Sequence, residues 1–380
     1  MASATGAPSR LSFTSIETAE FRLLRQSCAA SFPRSGAPVL DDLTDLNWDR
    51  FLALARRHRV QGLCSAGLEQ LRVGVPAAVR AALQADRRTI AADGLRAVSL
   101  CGDLRAAFDK ASLPLLFLKG ITVGQLAYGD PFVKMGWDVD ILVQPADLPA
   151  AAVLLQRLGY AAILPLDVRA IAAWHRRNKE SVWVRDGGLT IELHTRLADN
   201  PELLDELNPF SATQLVEVLP GVTLPTLHPE KLFAYLAVHG ASSAWFRLKW
   251  LCDFAALIAA KSEAEIERLH RRASELGAGR ASAWALLLCQ RLLGVAGASV
   301  ERLGLAHHPT HRQLLRLGLA ELADEAEPTG RLLGTRRIHY AQLLLKPGLG
   351  FAAREARRQL KSIIVNRRAS PDSGGGQDES

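Results

Sequence analysis

Apolar residues recur with a helical period from about residue 16 to residue 111. Trp48, Phe51, Leu52 and Ala55 fall at i, i+3, i+4 and i+7 and predict one apolar helix face, with Asp42 or Thr44 placed to cap its start. The same spacing continues through residues 60–71 and 76–107. The pattern changes at Ser112. Residues 113–118 form a short apolar run with Pro114 near its start and Lys119-Gly120 at its end, which predicts a buried strand, followed by a helix over residues 121–127. Residues 137–143 predict a second strand, residues 145–158 a helix closed by Gly159, and residues 160–164 an edge strand. Residues 181–185 and 189–194 are β-branched and aromatic runs around Asp186-Gly187-Gly188, which predicts a hairpin. Helical periodicity returns from Pro229 to about Ile338, and no repeat of solenoid period is visible.

These elements predict an α+β chain. A small mixed sheet over residues 112–228 is flanked by a helical N-terminal subdomain at 16–111 and a helical C-terminal domain at 229–368. Residues 1–15 and 369–380 are small, polar and aperiodic, and are expected to be disordered. With 48 % apolar and 22 % charged residues the chain can bury a sizeable core, which excludes collagen-like, disulfide-scaffold and wholly disordered classes. The five cysteines show no CxxC and no regular spacing, a pattern of free thiols in a reducing compartment rather than of a zinc or disulfide framework. No apolar stretch approaches the ~20 residues of a membrane span. The first 22 residues lack the basic-then-apolar layout of a signal peptide, so a soluble, cytoplasmic protein is expected.

The net charge of +7 is uneven. Residues 331–368 hold ten Lys/Arg and one Glu, a local +9. Only Tyr340 and Phe351 fall among these charges, so no regular aromatic interleaving accompanies them. The segment therefore predicts a solvated helix face beside an acidic stretch such as residues 321–327, and a nucleic-acid partner is not favoured.

Chemistry concentrates between Lys119 and His194. In a strand over 137–143, Asp138, Asp140 and Leu142 face one way and Val139, Ile141 and Val143 the other. Two carboxylates ~6–7 Å apart on a partly buried face repel each other, and a hard cation such as Mg²⁺ or Mn²⁺ relieves that repulsion. Glu192 shares its face with Thr190 and His194. A strand bearing Glu192 beside the one bearing Asp138 and Asp140 would gather three carboxylates around one or two metals, the layout of in-line nucleotidyl transfer. Lys119-Gly120 at a strand-to-helix turn offers backbone amides and a cation to a phosphate, and Lys134 adds a second cation. His194 at a strand end is expected to support a ligand by hydrogen bonding or to meet the nucleotide.

Together, Leu118-Lys119-Gly120, Tyr128-Gly129-Asp130-Pro131, Lys134, the strand from Asp138 to Val143, Leu158-Gly159-Tyr160 and Ile191-Glu192-Leu193-His194 carry a family resemblance. The helical lead-in at residues 48–60 and a later segment with His239, Arg247, Leu248, Trp250 and Asp253 extend it. The sequence resembles the uncharacterised nucleotidyltransferase family of the DNA polymerase β-like superfamily over about residues 41–260. The resemblance implies a mixed-sheet core, Mg²⁺ held by Asp138 and Asp140, Glu192 as third carboxylate, and an NTP such as ATP as donor. The sequence departs from the wider superfamily in two places. Lys119-Gly120-Ile121 replaces the usual Gly-Ser or Gly-Gly and lies 18 residues before Asp138, and Lys134 stands where the family more often has Arg.

His239, Arg247, Lys249 and Asp253 fall on two successive predicted helices. They are candidate contacts to the nucleotide or to an acceptor of unidentified kind (small molecule, peptide or protein). Asp253 sits among apolar neighbours and needs a partner, for which Arg247 and Lys249 are the nearest in sequence. His307, His308 and His311 read as a loop cluster because Pro309 breaks the helix that would align them. Residues 174–177 read as a basic, solvated helix end. Two further readings compete with nucleotidyl transfer. One is a glycosyltransferase with a metal-binding Asp-x-Asp, which normally has a larger nucleotide-binding unit before that motif. The other is a non-catalytic binding module on a degenerate core.

Overall fold

The computed structural model describes residues 17–33, 46–136, 138–165, 167–331 and 333–369. Of the expected disordered ends, residues 1–15 and 370–380 lie outside these residues, as do Asp42, Thr44 and Trp137, whereas Ala369 ends the last helix. The chain opens with helices α1 (Ala19–Ala30), α2 (Trp48–Arg57), α3 (Gln61–Gln70) and the long α4 (Ala77–Lys110). The cap of α2 is Asn47, whose side chain accepts from the Arg50 amide. Strand β1 (Leu116–Phe117) and helix α5 (Ile121–Tyr128) lead to β2 (Asp138–Leu142), α6 (Leu148–Arg157) and β3 (Ala161–Leu164). Helix α7 (Ile171–His175), β4 (Glu180–Val184), β5 (Thr190–His194), β6 (Thr213–Leu219) and β7 (Val222–Leu227) follow. Eight helices close the described chain: α8 (Pro229–Ser242), α9 (Leu248–Ala259), α10 (Glu263–Glu275), α11 (Gly279–Leu288), α12 (Gly297–Arg302), α13 (Pro309–Leu322), α14 (Arg336–Leu343) and α15 (Leu349–Ala369).

The main sheet has the order β1-β2-β5-β4-β3. β2 and β5 pair in parallel, and every other pair in it is antiparallel. The sheet is mixed because β5 returns as the second arm of the β4–β5 hairpin and docks on β2. β3 lies at the edge and is mostly exposed, as expected. The fold class is α+β.

Several elements differ in extent from the sequence pattern. The first strand keeps only two residues, since Pro114 has no N–H to give a ladder. The helix expected from residue 145 starts as a 3₁₀ turn at Pro145–Asp147 and becomes α-helical at Leu148. The β6–β7 hairpin was not predicted: Leu215 faces solvent and Pro225 interrupts β7, so neither strand shows clean alternation. Pro309 starts α13 instead of breaking a helix, because an N-terminal proline loses no intrahelical bond. His175 is buried rather than solvated, held by Thr195 Oγ1 at 2.9 Å and Ser181 Oγ at 3.0 Å.

Two hydrophobic clusters hold the elements together. One lies on the face of the sheet opposite Asp140 and Glu192, with Phe108, Ile141, Trp183 and Leu193 fully buried. The other joins Phe21, Leu24, Phe51 and Leu63 of α1–α3 to Phe233, Trp245, Phe254 and Trp284 of the later helices. The basic segment pairs with acids from several elements: Arg331 with Asp324, Arg337 with Glu321 at 3.5 Å, Lys346 with Asp205 at 2.8 Å and Arg354 with Glu202 at 2.7 Å. Among the described residues no helix is long and apolar enough to cross a membrane.

Candidate active site

The parallel pairing of β2 with β5 sets Asp140 directly opposite Glu192. Strand alternation points both away from the apolar core formed by Val139, Ile141, Ile191 and Leu193. Asp140 is buried, and its Oδ1 takes Lys119 Nζ at 2.8 Å and His194 Nε2 at 3.1 Å. Burial alone would raise its pKa, but Lys119 and His194 overcome this and hold the carboxyl well below its usual range. Burial raises Glu192, assisted by repulsion from Asp140 and Glu180 and opposed by a bond to His194.

His194 sits among three carboxylates. Its Nε2 lies 3.5 Å from Glu192 Oε2, and its Nδ1 lies 3.3 Å from Glu180 Oε2. Burial and Lys179 favour the neutral ring, yet Asp140, Glu192 and Glu180 together push the pKa up. Asp140, Glu192 and His194 offer ligand atoms that all lie within 4.8 Å of one another. Two carboxylates and an imidazole are donor types that a metal cation accepts. Asp138, at the start of β2, is not in this trio. It lines the same cleft, and among the described residues it has no ion-pair partner.

At the other side of β2, Gly120 precedes α5 with φ +65° and ψ −122°, a conformation open to glycine alone. No side chain caps this helix start, and Gly120 lines the cleft.

The cleft has a volume of about 240 Å³. Its lining includes Lys119, Gly120, Lys134, Asp138, Asp140, Glu192, His239, Arg247, Lys249 and Asp253, so ten of the eleven candidates from the sequence meet in one space. His194 is behind them, in contact with Asp140 and Glu192. The partner of Asp253 differs from expectation. Its carboxylate takes Lys134 Nζ at 2.6 Å and the Tyr128 hydroxyl at 3.1 Å, whereas Arg247 pairs with Glu327 at 3.2 Å and lies over Trp250. A partner across the fold could not be found from neighbours in sequence.

Burial and the charges of Lys119 and Lys179 hold the His239 pKa well down, and its ring meets Trp250 edge-on at 5.4 Å. Burial and Lys134 lower Lys249 to about 8.

Three charged lining residues are not among the site candidates from the sequence: Arg59, Lys179 and Glu180. Lys179 pairs with Glu180 at the start of β4, one position before the predicted strand. Arg59 sits in a left-handed turn after α2 with φ 56°. Its signal was the run Arg56-Arg57-His58-Arg59, too basic for an ordinary helix end to need.

The family described as uncharacterised nucleotidyltransferase matches residues 44–294. No curated protein and no solved structure matches the chain. With this match over about two thirds of its length, the chain belongs to that nucleotidyltransferase family and is an enzyme that transfers phosphorus-containing groups.

Proposed function

We propose that the protein transfers a nucleoside monophosphate from an NTP to an acceptor hydroxyl, amine or phosphate, in a reaction that depends on Mg²⁺ or Mn²⁺. The observation that carries this reading is the register of β2 on β5, which sets Asp140 against Glu192 with Asp138 two residues before. A bound divalent ion would polarise the α-phosphate and lower the cost of bringing an anion to three carboxylates. Asp138 and Asp140 would hold it, with Glu192 as third carboxylate and His194 completing or orienting the set.

The acceptor heteroatom attacks the α-phosphorus, the bond to the β-phosphate oxygen breaks, and pyrophosphate leaves. Glu192 is suited to take the acceptor's proton, because burial and repulsion from Asp140 and Glu180 raise its proton affinity. The amides at the start of α5, with Lys119 beside them, favour the donor's phosphates. His239 and Trp250, edge-on to each other and half-buried in the cleft lining, offer an aromatic corner for a ring system or the acceptor.

The test is binding and turnover with each of the four NTPs in the presence of Mg²⁺ or Mn²⁺, reading pyrophosphate release and mass labelling of candidate acceptors. Supportive results are metal-dependent NTP binding and loss of turnover in the Asp138→Asn/Asp140→Asn variant. Binding of a nucleotide sugar in preference to every NTP would overturn the reading.

A further inference from the structure

Six cations line the cleft, and four of them are spoken for. Lys119 pairs with Asp140, Lys134 with Asp253, Lys179 with Glu180 and Arg247 with Glu327. Arg59 and Lys249 are different. Among the described residues neither side chain has an ion-pair or hydrogen-bond partner, although both are partly buried. A cation taken out of water without a counter-charge is costly, and the cost is recovered when a ligand supplies the anion.

The two charges belong to the same end of the cleft. Arg59, Lys249 and Asp138 line the same cleft; Lys134 and Arg59 repel Lys249, and Asp138 attracts both cations, after Glu327 for Arg59 and Asp253 for Lys249. The opposite end, around Glu192, has Lys119 and Lys179 already neutralised by Asp140 and Glu180. Net positive charge is therefore concentrated beside Asp138, away from the carboxylate suited to meet the acceptor.

We infer that Arg59 and Lys249 hold the β- and γ-phosphates of the donor nucleotide, and the pyrophosphate after transfer, at the Asp138 end of the cleft. This rests on the nucleotidyl-transfer reading. It assigns the leaving group to residues supplied by the flanking helical regions, rather than to Lys134, whose charge is consumed by Asp253.

Arg59 stands at φ 56°, a left-handed conformation that glycine adopts more readily. Two backbone features fix the pair: Lys249 N donates to the His58 carbonyl at 3.3 Å, and Leu248 N donates to His58 Nδ1 at 3.2 Å. His58 thereby ties the residue before Arg59 to the first turn of α9.

The experiment is calorimetric titration of the full chain with pyrophosphate and with ATP, each with Mg²⁺ and without acceptor, beside melting curves. Arg59→Gly and Lys249→Met should each weaken pyrophosphate and ATP about 10-fold or more, and the double variant about 100-fold. Both should melt at or above the wild-type temperature, since one relieves a positive φ and the other removes an unpaired cation. Arg59→Lys and Lys249→Arg should keep most of the affinity.

Wild-type binding of pyrophosphate or ATP with equal binding by the double variant overturns this assignment alone, and leaves a phosphate on the acceptor as the anion these cations serve. Wild-type failure to bind pyrophosphate or any NTP overturns both this assignment and the nucleotidyl-transfer reading. Weakened binding accompanied by a fall in melting temperature of more than a few degrees, or not rescued by the charge-retaining variants, makes the residues structural and also overturns it.

Discussion

Acid should destabilise the seam that carries Arg59 and Lys249 through one histidine. His58 is fully buried, its Nδ1 accepts from the Leu248 amide at 3.2 Å, and its ring packs 5.5 Å from Phe21. Burial, with the nearby Arg57 charge, lowers its pKa from 6.5 to about 3. The folded protein thus prefers the neutral ring. That contribution is fully present above the unfolded value of 6.5 and is lost as pH falls through the interval down to about 3. At about pH 5 the unfolded chain has gained a proton that the fold refuses, a loss of about 2 kcal/mol, growing to about 3 kcal/mol near pH 4. For a chain of this size 2 kcal/mol is roughly 2–3 °C of melting temperature. Other buried histidines add to the acid slope, since His175 and His270 are also lowered, to about 4. The assay is therefore a comparison: melting temperature from about pH 8 to pH 4 for wild type and His58→Asn. Asparagine keeps an acceptor for Leu248 N–H but cannot titrate. It should lower the melting temperature at neutral pH through lost packing on Phe21, and close the gap with wild type by about 2–3 °C at pH 5. Parallel curves for the two proteins would refute the reasoning.

Three further outcomes follow from the cleft. Asp140→Asn leaves Lys119 without its partner and should cost about 3–5 kcal/mol in a denaturant titration, while abolishing any rise in melting temperature caused by Mg²⁺ or Mn²⁺; undiminished metal stabilisation would remove Asp140 from the metal set. Glu192→Gln should keep the melting temperature within a few degrees, because burial already favours an uncharged group there, yet lower turnover about 10²-fold or more once an acceptor is known; full turnover would exclude it as proton acceptor. Asp253→Asn strands Lys134, which is nearly buried, and should cost about 3–5 kcal/mol, most of it restored in Lys134→Met/Asp253→Asn; a double variant no more stable than the single one would show that the pair is not the source of the loss.

The site was legible where chemistry and periodicity coincide. Asp138 and Asp140 alternate with Val139 and Ile141, and Glu192 alternates with Ile191 and Leu193, so one strand period declares both the core face and the acidic face. That β5 lies beside β2 was an expectation from chemistry, and it is met in register by the parallel pairing. Gathering of His239, Arg247, Lys249 and Asp253 at the same cleft followed from the family resemblance rather than from spacing. The partners were not legible. Lys134 and Asp253 are 119 residues apart, and Arg247 and Glu327 are 80 apart, so only the folded chain decides which charge meets which. The β6–β7 hairpin escaped for a local reason, an outward Leu215 and an internal Pro225 that blur a period of two.

The shared core explains why residues so distant in sequence can act on one ligand. Helices α1–α3 do not bury their apolar faces only among themselves: Phe21, Leu24, Phe51 and Leu63 lie in one cluster with Phe233, Trp245 and Phe254. Burial of each such side chain stabilises by about 1.5–3 kcal/mol, so the contact is worth far more than any one polar bond across it. Its precision comes from the polar bonds. His58 accepts two amides from α9, and Gly67 lets α3 approach so closely that a Cβ there would stand 1.7 Å from the Ser27 carbonyl oxygen of α1. Apolar burial brings the N-terminal helices to the C-terminal ones, and these close contacts set where Arg59 and Lys249 emerge. The sheet provides the carboxylates on two neighbouring strands, and the segments on either side of it in sequence supply Arg59 and Lys249, the two cleft cations unpaired among the described residues, so a cleft with one anionic and one cationic end arises only when all three parts of the chain are folded together.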